Sequence, residues 1–209
     1  MRRLLSELKI AGINFYLLSA ALTAALVLLA AIAGNLLNLS LVGFELIYPF
    51  FAAIAVGEWG RTRSDANYDV IAAQGRSLFQ WVAIRCAAVW GSVSLFALAA
   101  MAAVSTMRAE ASFGELLLIH FPTSLFLSSL SAYVGLRHAQ EQGAALVCGV
   151  LWLVMLLVRA LIRLPGVEFF YLFIRLAGDP NGIWRINKGI LTLCALALWR
   201  AIHRACRGR

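Results

Sequence analysis

Long apolar runs separated by short polar breaks dominate this chain, and their lengths predict helices that cross a bilayer. A helical span takes about 20 mainly apolar residues. Phe15 to Ala33 meets that length and stops at the turn-forming stretch Gly34-Asn35-Leu36-Leu37-Asn38. Further runs predict spans over Leu39 to Gly57, Trp81 to Val104, Leu116 to Leu136, and Ala144 to about Ile162. The last run holds only 11 residues between Lys188 and Arg200. Basic side chains can snorkel, and Trp184 and Trp199 suit the two interfaces, so Arg185 to His203 is read as a sixth span.

Three segments break this pattern. Glu58 to Gln80, EWGRTRSDANYDVIAAQGRSLFQ, is polar yet bounded by apolar runs on both sides. A segment that returns into lipid at both ends satisfies its own backbone most cheaply as short helix. Ser64 and Asp65 suit a helix start, with Tyr68 to Gln74 as its body. Met1 to Asn14 sets Leu4, Leu5 and Leu8 on one side and Arg3, Glu7 and Lys9 elsewhere, which predicts a helix lying in the headgroup plane. The same start, with Ala31-Ile32-Ala33 downstream, has the outline of a secretory signal. Its apolar stretch exceeds the roughly 7–15 residues of a signal core, however, and Glu7 is unusual in a signal head. Between the fifth and sixth spans, Val167 to Leu176 is mainly apolar but too short to cross. It follows Pro165, ends in Gly178-Asp179-Pro180-Asn181-Gly182, and is read as a re-entrant segment on the outer side.

Composition agrees with a membrane domain. Hydrophobic residues make up 62% of the chain and charged residues 13%, against roughly 45–50% and about 25% in soluble domains. Mean hydropathy is +0.85. The expected fold is all-α and polytopic: one transmembrane domain over residues 1–209, with an interfacial helix at 1–14, a cytoplasmic segment at 58–80 and a re-entrant segment at 164–185. The net charge of +8 reflects the cytoplasmic Lys/Arg bias rather than nucleic-acid binding. With the N-terminus inside, the inner segments hold eleven Lys/Arg and the outer ones five, leaving aside Arg85 and Arg159 within spans. That places both termini in the cytoplasm and requires an even number of spans.

The candidate chemistry is sparse. Cys86, Cys148, Cys194 and Cys206 show no metal-binding or redox spacing and read as small apolar residues and a free thiol. Glu45 lies about 9 Å inside the outer edge of the second span and Arg159 about 5 Å inside that of the fifth. The two would form a structural ion pair or serve gating or passage of a substrate. His120, two residues before Pro122, reads as a satisfied histidine at a kink rather than a proton relay. The sole Gly-x-Ser, Gly75-Arg76-Ser77, lies in the polar segment, and there is no HExxH, so an intramembrane hydrolase lacks its residues. No GxxxxGK[ST] loop is present, so the chain is not expected to hydrolyse ATP itself.

The order of these parts resembles the membrane (permease) subunit of a type-2 ABC exporter. At the polar segment, Glu58 and Gly60-Arg61-Thr62 stand where the family ends its second span. Tyr68-Asp69-Val70-Ile71 follows, then the turn Gln74-Gly75-Arg76-Ser77, with Arg85 opening the third span. Gly75 stands where proline is common. Trp184-Arg185-Ile186-Asn187-Lys188 is similar to the family's entry into the last span. The resemblance implies a coupling helix in which Glu58, Arg61, Asp65, Asp69, Ile71 and Arg76 contact separate ABC ATPase subunits; the bland alternative for these residues is a solvated loop. ATP and magnesium would sit on those subunits, and this chain would bind no cofactor. A second permease copy or a homologous permease would complete the pathway in a bacterial plasma membrane, with no nucleic acid involved. Few polar side chains line the spans, which suits an amphipathic or hydrophobic cargo such as a peptide or lipid-like molecule. An ATP-independent secondary transporter remains an alternative although no internal repeat is visible, as does a membrane sensor or immunity protein.

Overall fold

A helical element overlaps each predicted apolar run, while the expected start of the second run and end of the fifth lie outside the described residues. The computed structural model describes residues 12–32, 42–59, 78–107, 112–138, 142–158, 166–174 and 183–207, together with Val70 and Ala73. Within them α1 is Gly12–Ile32, a π-helix Val42–Ile47 runs into α2 Tyr48–Trp59, and α3 is Leu78–Met107. Next come α4 Phe113–Arg137, α5 Gly143–Leu157, a 3₁₀ turn Val167–Phe169, and α6 Trp184–Arg207. Four helices, α1, α3, α4 and α6, are long and apolar enough to cross a membrane. At 15 residues α5 reaches about 22 Å, short of a bilayer core of about 30 Å. The π-helix and α2 add 6 and 12 residues as one continuous element.

Two expectations shift at the edges. Gly12 to Asn14, assigned from sequence to the interfacial segment, already belong to α1, while residues 1–11 lie outside the described part. Glu58, read as opening the polar segment, instead lies in the last turn of α2. The body of the polar segment, at 60–69, 71–72 and 74–77, is outside the described residues.

Contacts between named residues show that the helices alternate in direction. Phe15 of α1 stacks on Phe51, while Leu26 of α1 lies against Gly43, so α1 runs opposite to α2. The Phe44 carbonyl meets His120, and Gly57 meets Ser131, so α2 and α4 run parallel. Trp152 of α5 stacks on Phe50 and Ala144 lies against Gly57, which makes α5 antiparallel to α2. Phe79, near the start of α3, packs on His203, near the end of α6, so that pair is antiparallel as well.

Polar side chains inside the bundle are largely satisfied by its own backbone. Ser19, Ser92, Thr123, Ser129 and Thr192 each donate to the carbonyl four residues earlier. This is the inexpensive way to keep a hydroxyl in an apolar helix. Trp90 Nε1 donates to Ser124 Oγ at 3.0 Å, tying α3 to α4, and Thr23 meets the Tyr48 hydroxyl at 2.6 Å between α1 and α2. Outward faces are apolar: Leu17, Leu18 and Leu28 on α1, and Leu146, Val150, Leu153 and Leu157 on α5, are all exposed. In water such a surface would be a liability; hydrocarbon is the medium that suits it.

Gly57 marks a close contact among three helices. A Cβ there would stand 2.9 Å from Ser131 Oγ, 3.2 Å from Ala144 Cβ and 3.5 Å from the Ala145 backbone nitrogen. Gly57→Val should therefore wedge α2 from α4 and α5 and cost about 1–3 kcal/mol. Unfolding in detergent micelles measures it, and Ser131→Ala in the same chain should recover part of the loss.

Candidate functional site

Pro49 shapes the centre of the molecule. It has no N–H to donate to the carbonyl of Glu45, and its ring crowds that carbonyl, so a regular α-helix cannot pass this point undisturbed. The chain answers with a π-helix over Val42–Ile47, a distortion that often accompanies functional sites. Side chains from two other helices take carbonyls on either side of Glu45. His120 Nδ1 of α4 lies 3.1 Å from the Phe44 oxygen, and Trp152 Nε1 of α5 donates to the Leu46 oxygen at 3.3 Å. A carbonyl only accepts, so Nδ1 carries the His120 proton. His120 is fully buried, and its Nε2 has no partner among the described residues.

Glu45 projects from this π-helix into a buried ion pair. Lys188, the fifth residue of α6, places Nζ 2.7 Å from Glu45 Oε1, with both side chains fully buried. The same ammonium donates to Thr123 Oγ1 of α4 at 2.8 Å and to the Leu172 carbonyl at 3.2 Å. All three of its protons are used. The Thr123 hydroxyl sends its own proton to the Ile119 carbonyl at 3.2 Å. One lysine thus joins three helical elements and the segment that precedes α6.

That segment is the second half of the site. After the 3₁₀ turn at Val167–Phe169 the backbone is irregular, yet Tyr171, Leu172, Phe173 and Ile174 are each no more than 2% exposed. They pack with Leu46, Ile119, Leu127, Cys148, Trp184 and Leu191. Irregular backbone at this depth is tolerable only when protein covers it and donors reach its oxygens. Asn187 supplies them: Nδ2 donates to the carbonyls of Glu168 at 3.1 Å, Phe169 at 2.9 Å and Tyr171 at 2.9 Å. Two amide protons serve three oxygens, so one proton is shared. The contacts also fix the amide orientation, since a flipped Asn187 would set Oδ1 against three carbonyl oxygens.

Of the residues singled out from sequence, Glu45 lies at this centre, and the partner the structure gives it is Lys188. Arg159, expected beside it, falls outside the described residues, as do Arg61, Asp65, Asp69, Ile71 and Arg76 of the polar segment. Glu58 is half-buried at the end of α2. His120 matches the expectation of a core histidine at one nitrogen only. Lys188, Thr123 and Asn187 were not foreseen as site residues. The count of Lys and Arg by side sets Lys188 among the five outer charges, and the structure buries it instead. A usable signal was present: Asn187 and Lys188 are adjacent polar residues one turn inside the helix that Trp184 begins.

The arrangement holds two opposite charges against each other in an apolar setting. Among the described residues there is no group of three or more His, Cys, Asp and Glu able to hold a metal, and the four cysteines form no disulfide. What the geometry offers is a charged connection between the π-helix, α4, α6 and the segment at 166–174, set in an apolar bundle. No family model, curated protein or solved structure matches the chain.

Proposed function

We propose that this chain is the permease subunit of an ATP-driven exporter: six spans, both termini in the cytoplasm of a bacterial cell, and half of a pathway completed by a second copy or a homologue. Separate ATPase subunits would dock on the 58–80 segment and carry the ATP and magnesium, so that the chain itself is a transport component and not an enzyme. The cargo would be amphipathic or hydrophobic, a peptide or lipid-like molecule. The observation that supports this reading is the order of parts. In sequence the polar segment lies between the second and third helices, and a buried stretch of irregular backbone at 170–174 lies between the fifth and sixth. In such an assembly, closure of the ATPase pair tilts helices as rigid bodies, and α2 leads directly into the docking segment.

The test is recovery and coupling together. A tagged chain purified from its own membrane should bring down an ATP hydrolase. Reversing two charges, Asp69→Lys with Arg76→Glu, should lose most of that recovery and of the coupled transport while the spans unfold as before. Normal recovery and transport in the double reversal would remove the docking assignment. A folded chain that brings down no ATP hydrolase would remove the exporter reading.

One observation favours a second reading. A buried Glu–Lys pair, near a histidine nitrogen that has no partner among the described residues, is what an ion-coupled transporter would use. Uptake or efflux in ATP-free vesicles under an imposed ion gradient would select it.

A further inference from the structure

We propose that residues 166–174 form a strap that opens about Gly166 as a unit separate from the helices, with Asn187 and Lys188 as its latch. The proposal does not depend on the exporter reading; it concerns which part of the bundle moves first.

The strap has the 3₁₀ turn at Val167–Phe169 and a bond from Phe170 N–H to the Val167 carbonyl at 3.1 Å, but no long helical ladder. Its carbonyls at Glu168, Phe169, Tyr171 and Leu172 are taken by two neighbouring side chains of α6. Breaking these side-chain ties leaves the backbone ladder of α6 intact. A segment tied to its surroundings through a few side chains opens at a lower free energy than the long helices.

Gly166 supplies the pivot. Its φ of +91° is left-handed, and no atom of the described residues lies within 4 Å of where a Cβ would stand, so the backbone there has the freedom to turn. The latch is also graded. Asn187 grips the first half of the strap, and Lys188 grips Leu172 with the same ammonium that holds Glu45. Any movement of the π-helix that draws Glu45 away therefore acts on the strap. Opening would uncover the Glu45–Lys188 pair and the apolar surface formed by Leu46, Ile119, Leu127 and Leu191.

Thiol reactivity tests this in the full chain, held in lipid nanodiscs, with Cys86, Cys148 and Cys194 changed to alanine and Cys206 to serine. Leu172→Cys reports the strap, and Ala97→Cys, fully buried in α3, reports the bundle; the probe is N-ethylmaleimide. In the otherwise unchanged chain both cysteines should react slowly. Asn187→Leu should speed modification of Leu172→Cys by about tenfold or more and leave Ala97→Cys as it was. Glu45→Gln combined with Lys188→Met, which removes the second grip without leaving a buried charge, should act in the same direction. Protection of Leu172→Cys unchanged in both backgrounds would overturn the latch. Equal acceleration of both cysteines would overturn the separate strap, because the whole bundle would then be opening together.

Discussion

Lys188→Met should destabilise the folded chain by about 3–5 kcal/mol, since it leaves the Glu45 carboxylate buried without its counter-charge. Thr123 and the Leu172 carbonyl lose a donor at the same time. Glu45→Gln removes the charge instead and leaves the ammonium with neutral acceptors only, a milder loss of about 2–3 kcal/mol. The double variant carries no charge at this place. Its loss should fall well below the sum of the two single losses, because a matched neutral pair avoids the cost of an unpaired ion. Equilibrium unfolding in mixed micelles measures all four corners of the cycle. Simple additivity would mean that the two charges do not act on each other and that their closeness is incidental.

The second large effect belongs to Asn187. Leucine has nearly its volume and none of its donors, so Asn187→Leu leaves three carbonyls at 168, 169 and 171 without their amide. At about 1–3 kcal/mol for each buried acceptor left unmade, partly offset by added apolar burial and by movement of the strap, the expected loss is about 3 kcal/mol. A loss under about 1 kcal/mol in the same unfolding assay would show that other donors reach these oxygens. The two losses should also combine less than additively, since Asn187 and Lys188 hold one segment.

The positions of the helices were legible because length and apolarity are local properties: a run such as Leu116 to Leu136 carries its helix with it. The order of polar breaks was legible for the same reason. The site was half legible. A carboxylate at Glu45 inside an apolar run announces that it needs a partner, but sequence does not say which cation answers. Arg159 and Lys188 are each near the end of a span, and only the alternation of helix directions and the depth of α6 bring Lys188 level with Thr123 and Glu45. Asn187 was read as part of a motif at the entry to the last span, and its task of gripping a neighbouring backbone is invisible without the fold. The π-helix is a similar case. Pro49 warned of a break, while the shape of the break depended on His120 and Trp152 arriving from α4 and α5 to take the exposed carbonyls.

The ion pair also sets a timetable for making the protein. Glu45 and Lys188 are 143 residues apart in sequence, and at translation rates of about 5–20 residues per second the lysine is synthesised roughly 7–30 s after the glutamate. Throughout that interval the second helix carries a carboxylate whose counter-ion does not yet exist. Its insertion on its own is disfavoured by about 2.5–3.5 kcal/mol. The nascent helix must therefore wait beside the insertion machinery, or enter as the neutral acid, until the C-terminal helix arrives. A ribosome that stops before α6 leaves behind a chain whose defect lies near its beginning, at a glutamate that never meets its lysine.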